Sequence, residues 1–586
     1  MTSEILEDSI KKALKKLGLN VEKITLEHPD DLANGDYSTN VALSHAKTLG
    51  VPPRQLAEKI VGALQGSTLK SGKSQTSEKI EIAGPGFINF YLAPEFFPAA
   101  TAEILNSGEN FGKNTELKGK KVIIEYTDPN PFKLFHIGHL MSNAVGESLS
   151  RLIEFQGAEV RRACYQGDVG LHVAKTVWAI CDEKTKGNNI FQSLISGNKT
   201  LAEKINYLGA NYAFGAVAYA DDLTLKTKKE IEALNRKIYE HSDANINKIY
   251  DWGREVSLEY FDTIYKKLGT NFDYKFFESE TGEFGKKIVE EFLGKGVFEK
   301  SQGAIIFPGE KHALHTRVFI NSEGLPTYEA KELGLVKIKY EKYRYDKSLV
   351  VTGNEINDYF KVLLRAMTLV FPELAEKTKH LSHGMLRLPS GKMSSRTGEV
   401  ITAEALLADV EEMALRKLAD RELDQREKNK IAEVVAVAAV KYSILRQAIG
   451  SDIIFDFDKS ISFEGDSGPY LLYSYVRAKS VLEKAVRDGV KAAARTESAP
   501  PEPTLLERLL YRFPEVVERA AREYAPHLIA TYLIEVSGAF NSFYAERQIV
   551  NAADPLSPYK VALTKTFSLI MKNGLWLLGI SVPEHM

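Results

Sequence analysis

Residues 121–140 read KVIIEYTDPNPFKLFHIGHL, and the rest of the 586-residue chain is organised around them. Lys121-Val-Ile-Ile-Glu-Tyr-Thr127 is apolar and β-branched, the composition of a buried strand. Pro129 and Pro131 interrupt regular structure. His136-Ile-Gly-His139 comes next, and beyond it Leu140, Val145, Leu149, Leu152 and Ile153 recur at roughly helical spacing. A strand, a short loop and a helix opening is where open α/β sheets bind ligands. The helix start offers free N–H groups and a positive dipole end to a phosphate chain. His136 and His139 add donors there, and Gly138 lets a flat base or ribose approach the backbone.

Outward from this stretch, length implies roughly three to four domains. Hydrophobic content of 44% and charged content of 26% are ordinary for a globular protein. A net charge of −2 advertises no overall basic field, so any RNA contact must come from local patches. Cys164 and Cys181 form neither a disulfide framework nor a zinc-knuckle spacing, and so few cysteines suit a reducing cytoplasm. The opening residues lack the apolar core of a signal peptide, and no apolar run approaches the ~20 residues that span a bilayer.

The His-Ile-Gly-His stretch resembles the HIGH signature of class I aminoacyl-tRNA synthetases. The same four letters also fit nucleotidylyltransferases, or a loop with two solvated histidines. Far downstream, in the right order, Lys392-Met-Ser-Ser-Arg396 lies between Gly391 and Gly398 and resembles the second class I signature, KMSKS. The pair of signatures selects the synthetase reading.

Three further regions extend the resemblance to the arginyl-tRNA synthetase family over essentially the full length. Residues 1–110 read as an α+β domain, with an amphipathic stripe at Ile5, Leu6, Ile10, Leu14 and Leu17 and a hairpin around Gly84-Pro85-Gly86. Gly35-Asp36-Tyr37, Asn40, Pro53-Arg54 and Ala83–Asn89 match that family's N-terminal domain, which implies tRNA contacts at Tyr37, Asn40 and Phe87; packing is the alternative for Phe87. Residues 111–400 read as a Rossmann-like catalytic α/β domain with a parallel sheet, carrying a charged helical insertion at about 181–300. Residues 401–586 carry apolar helical stripes throughout, an all-α bundle of the kind that binds an anticodon. Tyr470, Tyr473 and Arg477 match the family's pattern at the bundle entrance, and the chain ends on Met586, with His585 where the family commonly has arginine.

The resemblance implies ATP-dependent attachment of arginine to its tRNA through arginyl-adenylate. His136, Gly138, His139, Lys392, Met393 and Ser394 would bind ATP. His136, His139 and Lys392 would act on the reacting phosphates. Lys133 would supply the cation missing at Ser395, where the usual signature has a second lysine. A guanidinium needs planar acceptors; Glu125, Asn130, Tyr328 and Glu332 match the family's arginine-binding positions, and Tyr328 and Glu332 share a face if helical. Two positions depart from the family: Glu332 stands for its usual Asp, and Ile356 for its common Gln. The expected partners are arginine, ATP with Mg²⁺ as its substrate complex, and tRNA. No protein-bound metal, tightly bound cofactor or membrane is expected, and the chain is expected to be a cytoplasmic monomer. A non-catalytic tRNA-binding paralogue and a different class I ligase are the rival readings. The first would lack His136, His139 or Lys392; the N-terminal domain and the absence of an editing-sized insertion argue against the second.

Overall fold

The computed structural model describes residues 2–65, 70–71, 74–75, 77–185, 187, 190–223, 225–389, 402–494 and 502–586. Its central element is a five-stranded sheet: β1 Lys121–Glu125, β2 Glu159–Gln166, β3 Tyr274–Phe277, β4 Lys347–Gly353 and β5 Thr378–His383. The spatial order is β5-β4-β1-β2-β3, and every pairing is parallel. The unbroken apolar run of β1 follows from burial on both faces. Val122 and Ile124 join the large core on the side of helix α1 (Ile137–Phe155), and Ile123 joins Ala163, Tyr165 and Phe276 on the other.

Strand order reverses between β1 and β4, because the chain proceeds from β1 to β2 and β3 on one side and from β4 to β5 on the other. Ligands bind at such a switch point, outside the carboxyl ends of the strands. Glu125 ends β1 and Gly353 ends β4, so both face that crevice. The helical stretch beyond β2 ends at Leu268; Tyr274–Phe277 then returns to the sheet as its edge strand β3 before helix Glu278–Leu293. Helix α2 (Tyr328–Lys342) precedes β4.

The N-terminal segment folds around its own core of Leu6, Ile10, Leu14, Leu56, Ile88 and Phe90. Ser77–Ala83 and Phe87–Leu92 pair antiparallel, and Tyr37–Thr39 adds on the far side. At the turn Gly86 has φ +142°, and a Cβ there would meet the Pro53 carbonyl at 3.0 Å, so the hairpin seats directly on the start of helix Pro53–Gln65.

Past residue 402 the fold is almost wholly helical, including α3 (Gln425–Leu445), α4 (Gly468–Arg487), α5 (His527–Glu546) and α6 (Ser557–Leu577). Pro514 sits in the first turn of helix Phe513–Glu523 and Pro526 caps α5, positions where no intrahelical N–H is lost. These helices share one continuous core with the sheet. That is why α1 is buried nearly all round, polar residues Asn143, Glu147 and Ser148 included.

Candidate active site

The loop from β1 to α1 is strained. Thr127, Asp128 and Phe132 have φ of +81°, +45° and +68°, and positive φ in a β-branched threonine is a costly conformation. Surrounding bonds hold it. The Thr127 N–H donates to Ser142 Oγ at 2.9 Å, and that hydroxyl donates to the Val351 carbonyl on β4 at 3.0 Å. Asp128 folds back to accept the Tyr165 N–H at 2.7 Å.

The loop ends in a reciprocal cap. His136 Nδ1 accepts the N–H groups of Gly138 and His139 at 3.1 and 3.4 Å, and His139 Nδ1 accepts the His136 N–H at 3.3 Å. The rings stack with centroids 3.5 Å apart. Burial, and after it the Lys133 ammonium, holds His136 below the ordinary histidine pKa; burial, then His136 and Lys133, does the same for His139. Both rings are therefore neutral at pH 7. With Nδ1 accepting, each carries its proton on Nε2, as a donor for an anion rather than a charge. Lys133 lies over the Tyr212 ring at 5.0 Å, so its ammonium bridges the loop between β1 and α1 and helix Leu201–Ala220. Thr402 bridges to His136, and the Ala403 N–H donates to the Phe135 carbonyl at 2.8 Å. Lys392, Met393 and Ser394 lie outside the described residues, as do Ser395 and Arg396.

Beside this cap is an acidic pocket. Glu125 is 1% exposed and pairs with the equally buried Lys339 of α2 at 2.7 Å. Glu278 pairs with Lys331, both buried. Glu332 lines the pocket from α2, half-buried, its pKa pushed up to about 8 by burial and then by Glu125. Asp128 is raised well above the ordinary aspartate value by burial and then by Glu125, the Tyr165 N–H opposing. Glu125 and Glu278 thus have fixed ammonium partners, while Glu332 and Asp128 have none among the described residues. Tyr328 is exposed at the rim with Lys331 5.3 Å from its ring centre, four residues before Glu332 on α2. Asn130 fills the space above Gly167, where a Cβ would lie 2.3 Å from its Oδ1 and 3.0 Å from Glu278 Oε1. Ile356 is partly buried against the core of Val350 and Phe360. Burial, and then the facing Glu332, raises the Tyr359 phenol, which brings a hydroxyl to this side of the pocket.

Sequence reasoning found Glu125, Asn130, Tyr328 and Glu332, which the structure brings together. It missed Asp128, although that residue stands inside the quoted loop. It also missed Lys331 and Lys339, whose register on α2 follows from Tyr328 but whose partners lie far away in sequence.

The residues read as tRNA contacts divide. Tyr470, Tyr473, Arg477 and Met586 line one cavity of about 450 Å³, with Arg421, Phe463 and Asn541. The Arg477 guanidinium lies 4.7 Å from the Tyr473 ring centre, and Asn541 donates to the Tyr470 hydroxyl at 2.9 Å. Phe87, 40% exposed, and the exposed Asn40 stand on the surface of the N-terminal unit. Tyr37 differs from expectation. It is 1% exposed and donates to Glu515 at 2.7 Å, so its ring is packed between the N-terminal unit and helix Phe513–Glu523.

A parallel sheet of this order, with a His-Gly-His helix start at its switch point, is the catalytic body of a class I aminoacyl-tRNA synthetase. Residues 100–457 match the family of tRNA synthetases class I (R), catalytic domain. Residues 4–92 match the arginyl tRNA synthetase N terminal domain, and residues 471–586 the DALR anticodon binding domain. The chain is 30% identical to the arginine–tRNA ligase of Fusobacterium nucleatum over 100% of both chains, and 29% identical to that of Halothermothrix orenii over 97% of each. The solved arginyl-tRNA synthetases of Thermus thermophilus and Plasmodium falciparum share its fold, each with a TM-score of 0.79, at 22% and 18% identity; the first is covered over 100% of both chains, the second over 100% of this chain and 99% of its own. The chain belongs to the arginyl-tRNA synthetase family, and its activity is the ATP-dependent attachment of arginine to tRNA.

Proposed function

We propose that the acidic pocket at the switch point holds the arginine side chain. Glu332 and Glu125 receive the guanidinium, Tyr328 closes the rim and Asn130 orients the amino-acid end. The observation that carries this is that two carboxyl groups, Glu332 and Asp128, stand beside the histidine cap without an ion partner among the described residues, while Glu125 and Glu278 have theirs. ATP lies along the start of α1, with Nε2 of His136 and His139 donating to its phosphates and Gly138 opposing its flat face. Mg²⁺ arrives with ATP as part of the substrate, and the chain works without a tightly bound cofactor. Lys133 and Lys392 balance charge as pyrophosphate leaves, with Met393 and Ser394 binding the nucleotide beside Lys392. Neither step needs a covalent enzyme intermediate. Catalysis rests on alignment and charge stabilisation.

The functional units run from residue 1 to 110, from 111 to 400 with a helical insertion that starts near residue 181 and ends at Leu268, short of the sheet strand Tyr274–Phe277, and from 401 to 586. The cavity of Tyr470, Tyr473, Arg477 and Met586 takes unstacked tRNA bases, since aromatic faces and an arginine plane are what such bases stack on. Phe87 and Asn40 touch the tRNA elsewhere, with Tyr37 supporting them from below. The enzyme acts as a cytoplasmic monomer; among the described residues no helix is long and apolar enough to cross a membrane.

Glu332 is the residue to test. Glu125→Gln would strand the buried Lys339 ammonium, whereas Glu332 has no ion partner among the described residues. Glu332→Gln should raise the Michaelis constant for arginine by ~10- to 100-fold, the loss of a charge-assisted hydrogen bond. The constant for ATP should stay within about twofold. Equal effects on both substrates would make Glu332 a structural residue.

A further inference from the structure

We propose that the empty arginine pocket is loaded with protons, that the guanidinium enters by displacing them from Glu332 and Asp128, and that Lys339 is the positioning residue that keeps Glu125 out of this exchange. The inference rests on the reading of this pocket as the arginine site.

The geometry is a pairing problem. Two of the four carboxylates have fixed cations: Glu278 has Lys331, and Glu125 has Lys339 at 2.7 Å. Glu332 and Asp128 have none among the described residues. Asp128 is held by a single neutral donor, the Tyr165 N–H at 2.7 Å, and its strained backbone fixes it there. Like charges that share a water-poor site do not all ionise; some keep protons. The other titratable groups facing Glu332 are the carboxyl groups of Glu125, Glu278 and Glu329 and the tyrosines Tyr165 and Tyr359. Glu329 pairs with Arg317 at 3.4 Å. Lys339 pulls the other way, and it is committed to Glu125. The pKa of Glu332 near 8 agrees with a proton present at neutral pH.

A guanidinium cannot lose its own proton in a protein. Its positive charge must therefore be met by carboxylates that ionise as it arrives, their protons passing to solvent. Lys339 matters because it is rigid. Burial works against its ammonium, but Glu125 and then Tyr345 hold its pKa above the ordinary value, so it stays charged and does not follow the substrate. Without it Glu125 would become a third carboxylate sharing the protons, and would be free to turn.

The sign follows directly. If binding releases a proton, affinity for arginine rises with pH, by at most about tenfold per pH unit per proton, until the releasing group ionises unaided. For Glu332 that limit is about pH 8. Titration of the full chain with L-arginine in a calorimeter, in phosphate and in Tris buffer, reads proton release from the difference in heat. Between about pH 6 and about pH 7 the free amino group of arginine stays largely protonated, since an α-amino group titrates at about pH 8 or above. We expect release approaching one proton or more in that range, and a Kd that falls as pH rises. Glu332→Gln should flatten the dependence, Lys339→Met should steepen it by adding Glu125, and Lys339→Arg should restore the parent profile. Heats equal in both buffers, with a Kd constant over the range, would overturn the proton exchange while leaving the arginine site intact. An arginine Kd unchanged by Glu332→Gln would instead overturn the site itself. Should Lys339→Met fail to fold, the parent and Glu332→Gln titrations decide the exchange, and the parent-like profile of Lys339→Arg alone tests the lysine.

Discussion

Lys133 shows how one side chain serves two structures. Its ammonium lowers the pKa of both cap histidines and also rests on the Tyr212 ring at 5.0 Å. Keeping His136 and His139 neutral preserves them as donors, while the lysine itself supplies the charge that neutral rings lack. With Ser395 in place of a second signature lysine, the proposed role of Lys133 is to supply that charge as pyrophosphate departs. Lys133→Ala should slow adenylate formation by ~10²- to 10³-fold, the usual loss when a transition-state charge contact is removed. Its arginine affinity should stay close to the parent's, and Ser395→Lys added to it should recover part of the rate. Single-turnover adenylate formation within a few-fold of the parent would reduce Lys133 to an anchor for helix Leu201–Ala220.

At the scale of elements, α1 is the helix on which both domains close. Gly146 lies against Tyr126, where an added Cβ would come within 2.2 Å of the ring, and the Tyr126 hydroxyl donates to Glu147 at 2.6 Å. Gly146→Ala would improve helix propensity by about 1 kcal/mol. It would also overpack a rigid, fully buried ring, at a typical cost of ~1–3 kcal/mol or more. Overpacking should win, and the thermal midpoint should fall; an unchanged or raised midpoint would mean that Tyr126 moves aside freely. What the sequence disclosed follows the same division between local and distant. β1, the cap at His136 and the shared face of Tyr328 and Glu332 are set by neighbours within a few residues, and periodicity reads them. The Lys339–Glu125 pair spans 214 residues, and the burial of Tyr37 depends on Glu515, 478 residues away. No local pattern carries those. The strain at Thr127 and Asp128 is likewise invisible in a residue string, because neither is a residue type that announces positive φ as glycine does.

Across the whole molecule, contacts tie the N-terminal unit and the helical bundle to the catalytic sheet. Asp36 meets Arg508, and His28 and Tyr37 both meet Glu515, fastening the N-terminal unit to the bundle. On the other side Ser148 and Arg151 of α1 donate to the Leu577 and Trp576 carbonyls at 2.8 and 2.9 Å, and Lys441 of α3 donates to the Gly579 carbonyl at 2.7 Å. Cationic and hydroxyl donors at the end of α6 suit its negative dipole end. The last residues of the chain run from this junction to Met586 in the aromatic cavity, so the surface read as the tRNA site and the phosphate-binding helix are built on one frame. That frame matters only if the pocket at its centre selects arginine. The most direct measurement is charging of total tRNA by the full chain with ATP and Mg²⁺, each amino acid supplied in turn. The account predicts that arginine alone supports charging. Charging by another amino acid in preference to arginine would contradict it.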